Sequence, residues 1–564
     1  MRSSMTGKNS AILWLLLVFL LGLIVCPLIS VFAKAVIIDG RLDLYQAWSV
    51  IVDSENLQTV WNSLLLGMSV VLCATIIAAP TAYLLARTRV GRQKWLDILF
   101  MVPFMTPPYI ASMGWILFMQ KRGLFQQLFP ATGSFSERFF SFGGLVLVMS
   151  LHVFPFLMTM LKNAMLNIPA SLEESGAVFG AGFSLRLRKI FAPLLTGNYA
   201  IGALLVFVKT LSEYGTPYTL GRRIGFYVFT TDIHRYSTTA PIDFGRSASL
   251  SSVLVCICMG MWLLQNYITG KHTYRLVSGK GSRPIQHKLS GGGLALAWGW
   301  MALVILMAIG VPYFSIIATS LIKLRGYGLA AGNFTLAHYL EIFTSSKSLD
   351  TIWNSVFLAV SSATICSVLG TAVVLAVRRA KGSLKKVVEG VSLLPEMLPS
   401  IVLIIGIMLF WNTIYKVIPL YNTIGIMVLA YVVLYLPYTV QYVTSAFTQI
   451  NDNLLQAGRT FGGSPAYVFR RVTLPMISKG IIAGWMMNFI IAFRELVTAS
   501  LIAPPNTLVV STYINREFEQ GSVSLGMAMA VLCVLITTGA LLIMNAITER
   551  KTSYKKSRGV QKLA

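Results

Sequence analysis

The chain alternates long apolar runs with short polar, mostly basic stretches from one end to the other. The first run extends from Ala11 to about Ala33, behind Arg2 and Lys8. It is too long for a signal-peptide core and has a poor cleavage pattern, so it predicts a retained span. A bilayer core of about 30 Å requires about 20 apolar residues in a helix. Runs of that length follow near 60–86, 96–119, 143–161, 196–219 and 247–269. They return near 293–320, 352–377, 388–411, 425–446, 480–502 and 526–546. The pattern predicts an all-α membrane protein with twelve transmembrane helices, six in each half.

The halves repeat one another. Thr59-Val60-Trp61-Asn62-Ser63-Leu64 resembles Thr351-Ile352-Trp353-Asn354-Ser355-Val356. Pro103 and Pro107 match Pro395 and Pro399 (395 − 103 = 399 − 107 = 292), and Pro155 matches Pro437 (437 − 155 = 282). The loop between the third and fourth spans is therefore ten residues longer in the first half. An even number of spans per half gives both the same orientation, so the repeats are parallel and related by an axis along the membrane normal. This divides the chain into a first half at 1–269 (core 57–269), a linker at 270–292 and a second half at 293–564 (core 349–546). The linker is polar, basic and contains Gly and Ser, the composition of a cytoplasmic tether.

Composition sharpens the class. The chain is 55% hydrophobic and 12% charged, against about 25% charged in soluble domains. A formal charge of +26 would suit a nucleic-acid partner, but the bases fall in short loops, as in membrane proteins that are oriented by positive charge. Arg87, Arg89, Arg92 and Lys94, then Arg186, Arg188 and Lys189, lie in loops on one side. So do Lys271 to Lys288, Arg378 to Lys386, Arg470-Arg471 and Lys551 to Lys562, whereas the opposite loops mix fewer bases with acids. Both termini are thus expected in the cytoplasm. The cysteines lie inside apolar runs and the five histidines are scattered, so no metal site or catalytic cluster is expected.

One polar stretch occurs twice in the basic loops. Leu172 to Phe183 reads LEESGAVFGAGF and leads to Pro193, and Leu454 to Pro465 reads LLQAGRTFGGSP and leads to Pro475. Glu174 matches Gln456, Gly180 matches Gly462 and Pro193 matches Pro475, each 282 residues apart, half of the 564-residue chain. Both copies resemble the "EAA" coupling loop of ABC-importer permeases. They keep its spacing but depart in letters: Ser175-Gly176 replaces Ala-Ala, Ala192 replaces Leu, Gln456 replaces Glu and Val472 replaces Ile. The resemblance implies two short helices docking in a cleft of a cytoplasmic ATPase, with Glu174, Ser175, Gly176, Gly180 and Pro193 in one loop and Gln456, Ala457, Gly458, Gly462 and Pro475 in the other. Gly permits the sharp bend, and each Pro fits the start of the following helix.

Charged residues within spans are expensive and are functional candidates by default. Glu213-Tyr214 is expected in the fifth span, Arg494-Glu495 at the matching place in the eleventh (495 − 213 = 282), and Glu396 between Pro395 and Pro399 in the ninth. They either line a gate or path, or tighten the bundle. Ser-Glu-Tyr-Gly-Thr in the first half and Arg-Glu-Leu-Val-Thr-Ala in the second resemble the ferric-iron importer permeases, whose relatives handle thiamine, phosphonates or sugar phosphates.

The expectation is a fused two-half permease of a binding-protein-dependent ABC importer in a bacterial inner membrane. The resemblance implies two copies of a cytoplasmic ATPase and an extracytoplasmic substrate-binding protein. No G-x-x-x-x-G-K-[ST] phosphate loop occurs, so ATP is expected on the partner; no cofactor and no covalent chemistry are assigned to this chain. The alternative is an ion-coupled transporter of the major facilitator type, which also has twelve spans and a basic loop like Arg89 to Lys94. Thr88 and Leu84 stand where that family's loop has Asp and Gly. A membrane scaffold is a third alternative.

Overall fold

The computed structural model describes residues 7–38, 40–271, 287–380 and 382–560. Most of the expected linker, 272–286, and both extreme termini lie outside the described residues. Helix dominates, because a chain in hydrocarbon must satisfy every backbone N–H and C=O internally. A two-residue hairpin, Ile37–Ile38 against Arg41–Leu42, follows the first span.

Among the described residues, ten helices are long and apolar enough to cross a membrane, or up to twelve if each of two bent pairs is one span. The bent pairs correct the expectation of continuous spans at 96–119 and 388–411. Trp95–Met105 meets Pro108–Met119 at 91°, and Ser383–Met397 meets Ser400–Thr413 at 111°. The cause is the proline at each break. A residue before proline is driven out of the helical region, and Thr106 (ψ 134°) and Leu398 (ψ 146°) are extended ahead of Pro107 and Pro399. Both second arms are buried over most of their length, the setting in which broken backbone is tolerated at membrane depth.

Two compact units form, and they are not the two sequence halves. One contains residues 44–335; the other combines residues 1–43 with 336–564. In the first, Ser54–Arg87, Phe142–Leu166 and Ala192–Ser212 pack together, and the seventh span lies on Pro108–Met119. A Cβ on Gly114 would come within 2.7 Å of the Pro312 carbonyl. In the second, Ser346–Arg379, Ile424–Thr448 and Leu474–Phe493 form the core, and Cys26–Val36 lies on Ser400–Thr413. A Cβ on Gly406 would come within 2.5 Å of the Pro27 carbonyl. Each unit thus takes the leading span that precedes the other unit's core.

The outer faces are apolar in helical register. Trp61, Met68, Leu72 and Ile76 are exposed on Ser54–Arg87, opposite buried Ser63, Val70 and Ala74. A continuous exposed stripe of this kind is what lipid solvates.

Pro193 and Pro475 stand at the second residue of Ala192–Ser212 and Leu474–Phe493, the helix-start position expected of them, and each helix continues directly out of a π-turn, Leu187–Phe191 and Phe469–Thr473. Pro27 and Pro312 follow Leu21–Val25 and Leu306–Gly310 in the same way. A π-turn shifts the hydrogen-bond ladder by one residue, which accommodates the N–H that proline lacks.

Candidate functional site

The repeated polar stretch folds into the same loop in both units. In the first, the helix Ala170–Val178 ends at a left-handed Gly180 (φ 75°), and the chain returns as Phe183–Arg186. The Gly180 N–H donates to the Ala177 carbonyl at 3.0 Å and the Ala181 N–H to that of Gly176 at 2.9 Å. In the second, Asp452–Thr460 ends at Gly462 (φ 79°), with the Gly462 N–H on Arg459 at 3.0 Å and the Gly463 N–H on Gly458 at 3.1 Å. The left-handed conformation is where Gly is favoured over every other residue. Ser464 then caps Pro465–Val468, accepting the Tyr467 N–H at 3.2 Å.

Small residues set the spacing between the loop helix and the returning helix. A Cβ on Gly176 would stand 2.9 Å from Ile190 Cδ1, and one on Gly458 3.2 Å from Val468 Cγ2. Glu174, Ser175, Gln456 and Ala457 point outward and are exposed. The most exposed large hydrophobic side chains among the described residues belong to positions that the spacing argument passed over. Phe179 is 88% exposed, and Phe461, its counterpart 282 residues on, is 91% exposed. A phenylalanine at the same place in both copies was the signal available to find them.

Glu173 was missed as well, and it is the buried acid of the first loop. It is 2% exposed, beside fully buried Arg87 (Nη1 to Oε2, 3.6 Å) and Arg186 (3.5 Å). Arg87 also donates to the Met165 and Ile168 carbonyls at 2.6 and 3.0 Å, and its guanidinium lies over the Phe191 ring. His287, at the end of the linker, hydrogen-bonds Glu173 through Nε2 at 2.7 Å. The His287 N–H donates to the Arg87 carbonyl at 2.8 Å, and the Arg89 N–H to that of His287 at 3.2 Å. The linker is therefore tied to the first loop at this point, which its composition did not predict.

The charged candidates of the spans lie elsewhere than expected. Glu213 and Glu495 sit just past the ends of Ala192–Ser212 and Leu474–Phe493. The Thr216 N–H donates to the Glu213 carboxylate at 3.0 and 3.1 Å, while the Val497 and Thr498 N–H groups each donate to Glu495 at 2.8 Å. Each carboxylate thereby opens the short helical segment that follows, as an acid at a helix N-terminus does. The Glu213 and Glu495 carbonyls accept the hydroxyls of Thr230 and Ser511 in turn. Arg494 closes Leu474–Phe493 as its C-cap. Tyr214 is buried, stacked on Tyr218 at 4.9 Å and beside His234 at 5.0 Å. Burial, with the Arg222 charge, holds His234 down to about 4. Glu396 is exposed and accepts a hydrogen bond from Gln441. Among the described residues, no group of three or more His, Cys, Asp or Glu could hold a metal ion. The pair of loops is the candidate site because the same geometry occurs in both units.

Comparison with known proteins bears on the chain as a whole. Residues 368–554 match the family of binding-protein-dependent transport system inner membrane components. An Fe(3+)-transport system permease of Haemophilus influenzae is 26% identical over 88% of this chain and 90% of its own length. A ferric transport system permease of Actinobacillus pleuropneumoniae is 22% identical over 93% of this chain and 76% of its own. A spermidine/putrescine permease of Haemophilus influenzae, 22% identical, aligns 93% of its length with 43% of this chain, as a single-half permease would with one half of a fused one. Residues 368–554 thus match inner membrane components of binding-protein-dependent transport systems, the chain is similar along most of its length to ferric transport permeases, and its many candidate spans are those of a multi-pass membrane protein.

Proposed function

We propose that this permease imports ferric iron handed over by an extracytoplasmic binding protein, driven by two copies of a cytoplasmic ATPase that dock on the two loops. The observation that carries the docking is the twin geometry: a left-handed glycine in each loop, with Phe179 and Phe461 almost fully exposed beside it. Large apolar side chains held out in this way are fit to enter a partner's cleft. The twin loops, the twin bent pairs and the 282-residue offset support two parallel six-span repeats. The basic character of the loops supports a cytoplasmic position for them and for both termini.

ATP binding would close the ATPase pair, draw the loops together and rock the halves between outward and inward access. The chain itself makes and breaks no covalent bond. The iron assignment rests on the names of the two ferric relatives. Inside-out orientation is avoided by using right-side-out vesicles loaded with ATP, supplied with radiolabelled ferric iron on the binding protein. Uptake that requires ATP and survives an uncoupler is expected. Uptake abolished by the uncoupler would point to an ion-coupled transporter, and uptake of thiamine, phosphonate or sugar phosphate in place of iron would overturn the substrate.

A further inference from the structure

Three basic side chains meet Glu173, and they come from different parts of the chain. Arg87 closes the helix Ser54–Arg87, and Arg186 belongs to the returning arm of the loop itself. His287 stands at the foot of the seventh span, which runs from Gly291 to Leu321. It is held at three points: the side-chain bond to Glu173 at 2.7 Å, and the two backbone bonds that pair it in parallel with Thr88. A carboxylate makes short, strong hydrogen bonds. Only Lys288, Leu289 and Ser290 separate this anchor from the span, a stretch that reaches about 10 Å when fully extended. A displacement of the loop helix Ala170–Val178 therefore has little slack to take up before it pulls on the span.

The seventh span in turn grips the first bent pair, in the same unit. Near its start, Trp298 stacks on Trp95 of the first arm at 6.3 Å, and the Trp300 indole N–H donates to the Thr81 hydroxyl at 3.0 Å. Further along, the Tyr313 hydroxyl hydrogen-bonds that of Thr106 at 2.7 Å, and Thr106 is the extended residue at the break between the arms. Beside it the Pro312 carbonyl leaves no room for a Cβ on Gly114 of the second arm. Contacts packed this closely transmit displacement and do not absorb it. We infer that His287 is a positioning residue of coupling, which makes the seventh span a second output of the first loop. Movement of Glu173 passes through His287 to the span, and from Tyr313 and Pro312 to the break at Thr106. Packed side chains, hydrogen bonds and rigid helices are the carriers such a route requires. This rests on the proposal that the loops dock an ATPase that drives ferric-iron import.

The test uses the full chain in vesicles with its co-purified ATPase, supplied with ferric iron on the binding protein. It reads iron taken up per ATP hydrolysed, with ATPase capture and melting midpoint scored on the same preparations. His287→Ala should lower the uptake ratio roughly fivefold and leave ATPase capture unchanged. His287→Gln, whose amide still donates to Glu173, should restore most of the ratio. Two glycines inserted between Lys288 and Leu289 keep the anchor but slacken its link to the span, and should lower the ratio as His287→Ala does. The same two inserted between Gly279 and Lys280, ahead of the anchor, should leave it at the wild-type level. These insertions decide the matter if His287→Ala fails to fold. A wild-type ratio in His287→Ala, with or without a lower melting midpoint, makes His287 a structural contact and overturns the inference. So does His287→Gln no better than His287→Ala, or an equal effect of the two insertions. A wild-type permease that captures no ATPase, or captures it and takes up no iron, refutes the proposed function beneath the inference. One that does both while the variants keep its ratio refutes the inference alone.

Discussion

Substituting Gly180 and Gly462 isolates the contribution of the loop bend to coupling. Both glycines have φ near +75° to +79°, and a Cβ at either would meet nothing within 4 Å. The cost of alanine is therefore conformational and not steric. An L-residue in the left-handed region costs about 1–2 kcal/mol, a factor of roughly 5 to 30 in the population of the bent loop. The sites lie in separate loops, so the double variant should lose about 2–4 kcal/mol of docking free energy. Asparagine visits the left-handed region more readily than alanine, so Gly180→Asn should be milder than Gly180→Ala although its side chain is larger. ATPase capture by the purified permease should fall in the order glycine, asparagine, alanine. ATP-dependent uptake should follow the same order and vanish for Gly180→Trp with Gly462→Trp, while the permease remains folded in the membrane. Uptake at the wild-type level in the double tryptophan variant, or asparagine more harmful than alanine, would refute the argument.

Four further outcomes are expected. Glu174→Ala should weaken ATPase capture more than Gln456→Ala, since both residues are exposed and only the first is charged; equal losses would count against a charged contact. Arg87→Ala should destabilise the permease by about 3–5 kcal/mol, because it leaves buried Glu173 without its buried cation; an unchanged melting midpoint would contradict this. Glu213→Ala and Glu495→Ala should each cost about 1 kcal/mol by removing a helix cap, whereas the double Gln variant keeps an acceptor and should slow uptake without loss of ATPase; unchanged uptake in vesicles would leave the carboxylates as caps alone. Burial holds the folded-state value of His234 near 4, below the ordinary imidazole value of about 6.5. Its neutral form therefore stabilises the fold above pH 6.5, and that contribution is lost as pH falls towards 4; a melting curve flat over that window, or as steep in His234→Phe, would refute it.

Much of this architecture was legible because glycine and proline spacing records backbone demands directly. Gly180 and Gly462 were identified from the repeat and its resemblance to the coupling loop, and both are left-handed. Hydropathy averages over a window, so it did not distinguish a straight span from one broken at Pro107 or Pro399. It also placed Glu213 and Glu495 within spans, since it does not register a carboxylate capping the next helical segment. Pro193 and Pro475 were read correctly at helix starts, but the π-turn that precedes each leaves no trace in composition. The Glu173 cluster was hidden for a different reason. Its partners come from positions 87, 186 and 287, and no local pattern links them.

The exchange of leading spans bears on how the protein is made. Pro27 rests against Gly406, a residue synthesised 406 − 27 = 379 positions later. At about 5–20 residues per second, the first span waits roughly 20–75 s beside the translocon or in lipid before its resting place exists. The seventh span has no such delay: Pro312 meets Gly114, which emerged 312 − 114 = 198 positions earlier. Residues 44–335 can thus assemble from chain already in the membrane, while the first helix to be inserted is among the last to find its neighbours.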